Sequence, residues 1–138
     1  VMTVFFSASA EDTIELARRF GAGLKAGDVV LLDGELGTGK TMFAKGVALG
    51  MGVTEEVTSP TYAYMNEYDG EACKLYHYDC YRIESAAQAE GMGLADYFYA
   101  GGVCLVEWAE NIAALLPAGC IRVQIEKTGE NTREIKIG

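Results

Sequence analysis

A glycine-rich stretch at residues 34–41, GELGTGKT, limits what this chain can fold into more than any other feature. An apolar run of strand length, residues 28–33, comes directly before it, and the residues from Lys40 onward resemble the first turns of a helix. In the spacing G-x-x-x-x-G-K-T between a strand and a helix, backbone N–H groups converge on phosphate. The stretch therefore predicts an α/β protein with a phosphate-binding loop.

Each residue type in this loop has its own chemical task. Gly34, Gly37 and Gly39 allow the backbone to curl, so that its N–H groups point at the phosphates. We expect Lys40 to reach the β- and γ-phosphates and the hydroxyl of Thr41 to bind Mg²⁺. A turn that is merely rich in glycine would not require Lys40 and Thr41 together, so the motif favours a nucleotide site.

Two acidic residues qualify as a further magnesium ligand, because phosphoryl transfer commonly uses an acid at the tip of an apolar strand. Glu107 ends the run GVCLVE, and Asp79 ends the run KLYHYD. The pattern favours Glu107, since its strand is the more clearly buried one. The alternative for each residue is an ordinary solvated acid at the end of a strand.

Three further features bear on the nucleotide. Trp108 follows Glu107 directly and either covers the nucleotide or is simply packed. The segment SPTY, residues 59–62, contains Thr61 and either reaches the γ-phosphate as a switch or is a proline turn that opens a strand. The guanine-reading motif N-K-x-D is absent from the sequence, which favours ATP over GTP.

The remaining pattern predicts one domain, residues 1–138, with a P-loop NTPase-like three-layer α/β sandwich, a mixed sheet and antiparallel hairpins. Ser9 is expected to cap the first helix. The predicted strands are 3–7, 28–33, 102–106 and the hairpins 62–68 with 72–78, around Asp69-Gly70, and 120–126 with 133–137. The predicted helices are 9–25, 40–51, 85–89, 94–99 and 111–116.

Composition excludes some functions. The net charge of −9, from 20 acidic and 11 basic residues, argues against direct tight binding to nucleic acid. No apolar run approaches the roughly 18 residues of a membrane span, and the opening VMTVFFSASA lacks a basic leader, so we expect a cytoplasmic protein. The four cysteines form no CxxC pair and three lie in predicted strands, which indicates reduced, structural thiols. On a strand, Cys80 would point away from Cys73 and His77, which disfavours a metal site there.

The segments GELGTGKT, VTSPTY, HYDCYR, GMGLADYF and LVEWAE together resemble the TsaE (YjeE) family over nearly the whole chain. The resemblance implies a weak ATPase of the bacterial pathway that makes threonylcarbamoyladenosine at position 37 of certain tRNAs. It also implies docking onto the TsaB–TsaD heterodimer, which contacts the tRNA and is reset by hydrolysis of ATP with Mg²⁺.

The resemblance assigns roles to individual residues. It implies Lys40, Asp79, Glu107, Thr61 and Trp108 as the catalytic set, with Thr41, Glu107 and Asp79 around the metal, and does not decide which acid contacts it. The nucleotide-binding set is Gly34, Glu35, Leu36, Gly37, Thr38, Gly39, Lys40, Thr41, Met42, Ser9, Thr13 and Arg133, with Ser9 and Thr13 near the base.

Two other functions use the same loop. A small kinase that phosphorylates a metabolite would bring arginines over the phosphates from a lid, yet Arg82 is the only arginine between Lys40 and Arg122. A nucleotide-binding module without turnover would use bound nucleotide only to set its conformation.

Overall fold

The computed structural model describes residues 2–35, 37–60 and 63–138. Within these residues, seven strands form one sheet, and three α-helices and two 3₁₀ helices, Leu94–Tyr99 and Ala109–Leu115, cover it. The strands are β1 (Thr3–Ser7), β2 (Val29–Asp33), β3 (Met65–Asp69), β4 (Lys74–Asp79), β5 (Val103–Glu107), β6 (Ile121–Lys127) and β7 (Arg133–Ile137). The α-helices are α1 (Ala10–Ala22), α2 (Lys40–Gly50) and α3 (Ala86–Gly91).

The central strands bury side chains on both faces of the sheet. In β2, Val30 and Leu32 pack in the core with α1 and α2, whereas Val29 and Leu31 pack with α3 and the 3₁₀ helices. Every residue of β5 is buried. Such continuous apolar runs are typical of strands covered by helices on both sides. The predicted three-layer α/β sandwich is confirmed.

The sheet is parallel at its centre and antiparallel towards its edges, in the order β1-β7-β6-β2-β5-β4-β3. The strands β6, β2, β5 and β4 run parallel to one another, and β3, β7 and β1 pair antiparallel with their neighbours. The predicted mixed sheet and both hairpins are confirmed. The carboxyl ends of β2, β5 and β4 meet at one edge, which is where ligands bind in such sheets.

The helices α1 and α2 pack against each other with their backbones close together. Ser9 caps α1, as predicted, by accepting a hydrogen bond from the N–H of Asp12. Opposite α1, a Cβ atom at Gly46 would lie 2.5 Å from the carbonyl oxygen of Ile14 and 2.5 Å from the Cβ of Ala17. Only glycine permits this approach, because it has no Cβ.

The bounds of α1 and β3 differ from the prediction. The helix α1 ends before residue 25, because the N–H of Gly23 turns back to the carbonyl of Phe20. The strand β3 begins later than residue 62, because Tyr64 has a left-handed φ of 61° that a strand cannot contain. Tyr62 lies outside the described residues.

The connection between β3 and β4 is longer than the predicted tight turn at Asp69-Gly70. Asp69 pairs with Lys74, so residues 70–73 form the loop. The N–H of Gly70 donates to the carbonyl of Cys73 and closes it. A two-residue hairpin turn needs left-handed backbone at its turn residues, and the four-residue loop avoids this requirement at Asp69 and Gly70.

Three short helices also differ from the prediction. The helix α3 continues through Gly91, past the predicted end at Ala89. The segments predicted as helices at 94–99 and 111–116 are the two 3₁₀ helices, and the second begins earlier, at Ala109. Segments this short gain little from α-helical cooperativity, so local packing selects their geometry.

Among the described residues, every helix is too short or too polar to cross a lipid bilayer.

All four cysteines are free thiols, as predicted. Cys104 lies within β5, whereas Cys73 and Cys120 directly precede β4 and β6 instead of lying inside them. Cys80 packs on the face of the sheet opposite to Cys73, so the two thiols are separated by the sheet. Burial raises the pKa of the Cys80 thiol to about 12 and that of Cys104 to about 11.

The substitution Gly46→Ala tests the close packing of α1 on α2. We expect it to lower the free energy of unfolding by about 1–3 kcal/mol, because the new methyl group meets backbone that cannot move alone. Denaturation in urea measures the change. The matched control is Gly91→Ala, where a Cβ has no atom within 4 Å. Equal stability of the two variants would contradict the packing described.

The buried thiols give a second prediction. At mildly alkaline pH, we expect Cys80 and Cys104 of the folded chain to resist alkylation, because burial blocks access and a raised pKa keeps each thiol protonated. Cys73, which is half-buried, should react first. Peptide mapping after a short alkylation measures this, with the denatured chain as the control. Labelling of Cys80 as fast as Cys73 would refute it.

Candidate functional site

The glycine-rich loop connects the end of β2 to the start of α2. Gly37 and Gly39 have φ angles of 80° and 103°, a left-handed conformation that side chains oppose. A Cβ at Gly34 would lie 2.7 Å from the hydroxyl of Thr38 and 2.9 Å from the carbonyl of Ile125. Gly37 and Gly39 therefore give the curled backbone that was predicted, whereas Gly34 is required by the space between Thr38 and Ile125. Leu36 lies outside the described residues.

The start of α2 is open to an anion. Its N-cap residue is Gly39, which has no side chain to occupy the first N–H groups of the helix. Lys40 is the first helical residue, and Thr41 follows it in an exposed position. Unoccupied N–H groups, the positive end of the helix dipole and a lysine all favour negative charge at this point.

Arg133 braces the loop from the opposite half of the sheet. Its Nε donates to the carbonyl of Thr38 at 2.8 Å, and its Nη2 donates to the carbonyl of Gly37 at 3.3 Å. The hydroxyl of Thr38 donates in turn to the carbonyl of Glu35 at 2.7 Å. The structure thus places Arg133 at the loop, with these donors on loop carbonyls, so that it holds the loop's shape.

An aromatic pair lies beside the lysine. The Nζ atom of Lys40 is 4.8 Å from the centroid of the Trp108 ring, a cation–π distance, and Lys40 is only 9% exposed. Trp108 has a left-handed φ of 57°, which is costly for a bulky residue. Its ring also contacts the ring of Tyr81, with centroids 4.9 Å apart. Trp108 therefore lies beside Lys40 and lines the cleft at the loop.

The two acids lie on neighbouring parallel strands at the same level. Asp79 ends β4 and is directly opposite Glu107, which ends β5 and is itself opposite Leu32 of β2. The strand order places Glu107 next to the strand that leads into the loop and Asp79 one strand further away. Asp79 is partly exposed, and one of its carboxylate oxygens accepts the N–H of Tyr81 at 3.0 Å.

Glu107 contacts His77, for which the sequence pattern suggested only a possible role as a metal ligand. Its Oε2 atom lies 2.7 Å from Nε2 of His77, and both residues are buried, at 6% and 1% exposure. His77 lies two positions before Asp79 on the same face of β4. The contact between residues 77 and 107 is a diagonal one across neighbouring strands, because the register places residue 77 opposite residue 105 and residue 79 opposite residue 107. No local pattern in the sequence reveals it.

Two openings adjoin the loop. A cleft of about 550 Å³ is bounded by the loop, Lys40, Trp108 and polar residues of the β6–β7 hairpin. A smaller crevice of about 120 Å³ lies on the side of α1. Six of its lining residues belong to the predicted set, and Ala10 and Asn131 do not: the six are Ser9, Thr13, Thr38, Gly39, Met42 and Arg133.

Most of the predicted nucleotide-binding residues therefore line these two openings, whereas Asp79 lines a separate hollow with Tyr64 and Tyr81. Glu35 borders the large cleft. Thr61 lies outside the described residues, so its switch role stays a prediction. Within the part of the chain that the structure describes, no three His, Cys, Asp or Glu side chains are arranged to hold a metal ion. A Mg²⁺ ion here would depend on hydroxyl, carboxylate and phosphate oxygens together.

The fold and the site define a mixed α/β protein with a glycine-rich loop at the carboxyl edge of its parallel strands, the context required for a phosphate-binding loop. A family model described as "Threonylcarbamoyl adenosine biosynthesis protein TsaE" matches residues 7–135. The chain belongs to the TsaE family.

Individual relatives agree with this assignment. A protein of Bacillus subtilis named tRNA threonylcarbamoyladenosine biosynthesis protein TsaE is 43% identical over 129 residues, covering 94% of this chain and 80% of that protein. A protein of the same name from Treponema pallidum is 40% identical, covering 95% and 96%. The crystal structure of YdiB from Bacillus subtilis superposes with a TM-score of 0.85 at 37% identity, covering 99% of this chain and 84% of that one.

The bracing role of Arg133 gives a prediction for binding. We expect Arg133→Ala to weaken the affinity for Mg·ATP about tenfold, since hydrogen bonds from a charged group contribute about 1.5–3 kcal/mol. Isothermal titration calorimetry measures the affinity. Arg122→Ala, which removes an exposed arginine of β6, is the matched control and should bind as the unmodified chain does. Equal affinities for the two variants would contradict the bracing role.

Proposed function

We propose that this chain hydrolyses ATP as a component of threonylcarbamoyladenosine biosynthesis on tRNA. The observation that carries the proposal is the match to the TsaE family across residues 7–135, which include the whole glycine-rich loop. The printed names of the relatives place those proteins in this biosynthesis. The site supports the finer proposal, because its loop, lysine and paired acids are the parts that phosphoryl transfer uses.

The loop residues fit the phosphates of a nucleotide. Gly37 and Gly39 have left-handed backbones, which let the loop curl so that its N–H groups can converge on the phosphates. Lys40 is already held at the loop by the Trp108 ring and would contribute its charge to the β- and γ-phosphates. The crevice between α1 and the loop lies beside Ser9, Thr13 and Met42 and would receive the base.

The oxygen atoms at the site fit Mg²⁺. We assign the hydroxyl of Thr41 and the carboxylate of Glu107 to the metal, because Glu107 ends the strand adjacent to β2. When bound, Mg²⁺ neutralises charge on the phosphates and orients them for attack. Asp79 lies one strand further out in a more open position, and we assign it the task of orienting the attacking water.

The partners follow from charge and family. A net charge of −9 leaves direct tRNA contact to other proteins, which we propose are TsaB and TsaD acting in the cytoplasm. Hydrolysis by this chain would then drive the conformational reset of that complex.

The test is phosphate release from Mg·ATP by this chain alone and with purified TsaB and TsaD. We expect weak release by the chain alone and stimulation by the partners. The substitution Lys40→Ala should lower the stimulated rate by about 100-fold or more, because it removes a charge that stabilises the transition state. The matched control is Lys45→Ala, on the same helix beyond the loop, which should retain the full rate.

Each result has a definite meaning. Release that rises with the partners and disappears with Lys40→Ala supports a coupled ATPase. Release that ignores the partners, or that survives Lys40→Ala, contradicts the proposal. A phosphorylated small molecule formed in step with ADP would instead identify a kinase.

A further inference from the structure

The single histidine of the chain is buried against a carboxylate. His77 is 1% exposed, and its Nε2 atom lies 2.7 Å from Oε2 of Glu107. We assign the hydrogen to Nε2, because a carboxylate that is to bind a cation uses its oxygens as hydrogen-bond acceptors. The other ring nitrogen, Nδ1, is buried and has no hydrogen-bond partner among the described residues. Within the described part of the chain, Glu107 is therefore the one hydrogen-bond partner of the His77 ring.

The strand register gives that contact a direction. Residue 77 is opposite residue 105, and residue 79 is opposite residue 107, so Glu107 must lean back along β4 to meet His77. The other acid, Asp79, is directly opposite Glu107 on the neighbouring strand. Like charges in directly opposed positions destabilise a sheet, and the hydrogen bond between His77 and Glu107 offsets part of that cost.

We infer that His77 is a positioning residue that fixes the carboxylate of Glu107 for Mg²⁺. The inference rests on the proposed ATP and Mg²⁺ site. The hydrogen bond engages Oε2, and Oε1 forms no hydrogen bond within the described residues, so that oxygen remains available to a metal. A carboxylate with one oxygen fixed by a donor keeps one orientation, and such outer partners of metal ligands strongly affect metal affinity.

A purely structural role predicts different behaviour. A buried histidine that only fills the core would affect stability when replaced, and it would leave the metal dependence of nucleotide binding unchanged. The test therefore measures the affinity for a non-hydrolysable ATP analogue twice, with Mg²⁺ and with a chelator. The ratio of the two affinities reports the metal contribution, and it retains its meaning even if the chain hydrolyses no ATP.

Four variants separate the possibilities. We expect Glu107→Gln to abolish most of the gain in affinity that Mg²⁺ gives, and His77→Leu to lower the ratio of the two affinities about tenfold. We expect His77→Gln to keep most of it, because the glutamine amide can place an N–H near the position of Nε2. The double variant His77→Leu with Glu107→Gln should match Glu107→Gln alone, since His77 acts through Glu107.

The matched control removes a buried hydrogen bond from the opposite face of the same strand. The hydroxyl of Tyr78 donates to the carbonyl of Leu94 at 2.8 Å, so Tyr78→Phe should lower the unfolding temperature and leave the Mg²⁺ ratio unchanged. Unfolding temperatures of all variants show which of them remain folded.

The results that overturn the inference are specific. A folded His77→Leu variant with the full ratio, or a His77→Gln variant as impaired as His77→Leu, would show that the donor to Glu107 does not position the metal ligand. A full ratio in Glu107→Gln would overturn both this inference and the metal role proposed for Glu107. If the unmodified chain releases no phosphate but binds the ATP analogue more tightly with Mg²⁺ than with the chelator, only the proposed hydrolysis is overturned.

Discussion

The parallel alignment of β2, β5 and β4 is the constraint on which the site depends. Their register brings Leu32, Glu107 and Asp79 to one level at the carboxyl edge of the sheet. The loop leaves β2 at this edge, so both acids are delivered beside it by backbone hydrogen bonding alone. A shift of one residue in any of these pairings would turn the acid to the opposite face of the sheet.

The two halves of the sheet contribute different things to the loop. The central parallel strands are buried on both faces and supply a rigid base for the acids. The antiparallel β6–β7 hairpin supplies Arg133, whose guanidinium reaches the carbonyls of Thr38 and Gly37. A loop built from glycines is costly to order, because glycine loses more conformational freedom than other residues. Hydrogen bonds from the hairpin offset part of that cost.

The sequence predicted most accurately the features that depend on residues close together in the chain. The buried strands, the loop with its following helix and the Ser9 cap all depend on residues close together in the chain, and the structure agrees. The strand β3 begins after Tyr64, later than predicted, because a left-handed φ cannot occur in a strand. Such a backbone conformation has no signature in the sequence when the residue is not glycine. The pairing of His77 with Glu107 joins residues 30 positions apart and needs the strand order, which pattern alone leaves open.

The placement of Trp108 explains how the lysine can be both held and available. A left-handed backbone at a tryptophan costs on the order of 1–3 kcal/mol, and here the ring contacts both Lys40 and Tyr81. A cation–π contact contributes only about 0.5–2 kcal/mol, less than the charge-assisted hydrogen bonds that an ammonium group forms with phosphate. The ring therefore orients the lysine through a contact weak enough for the proposed phosphate to replace. Because Trp108 directly follows Glu107, one strand end fixes both the acid and the cation.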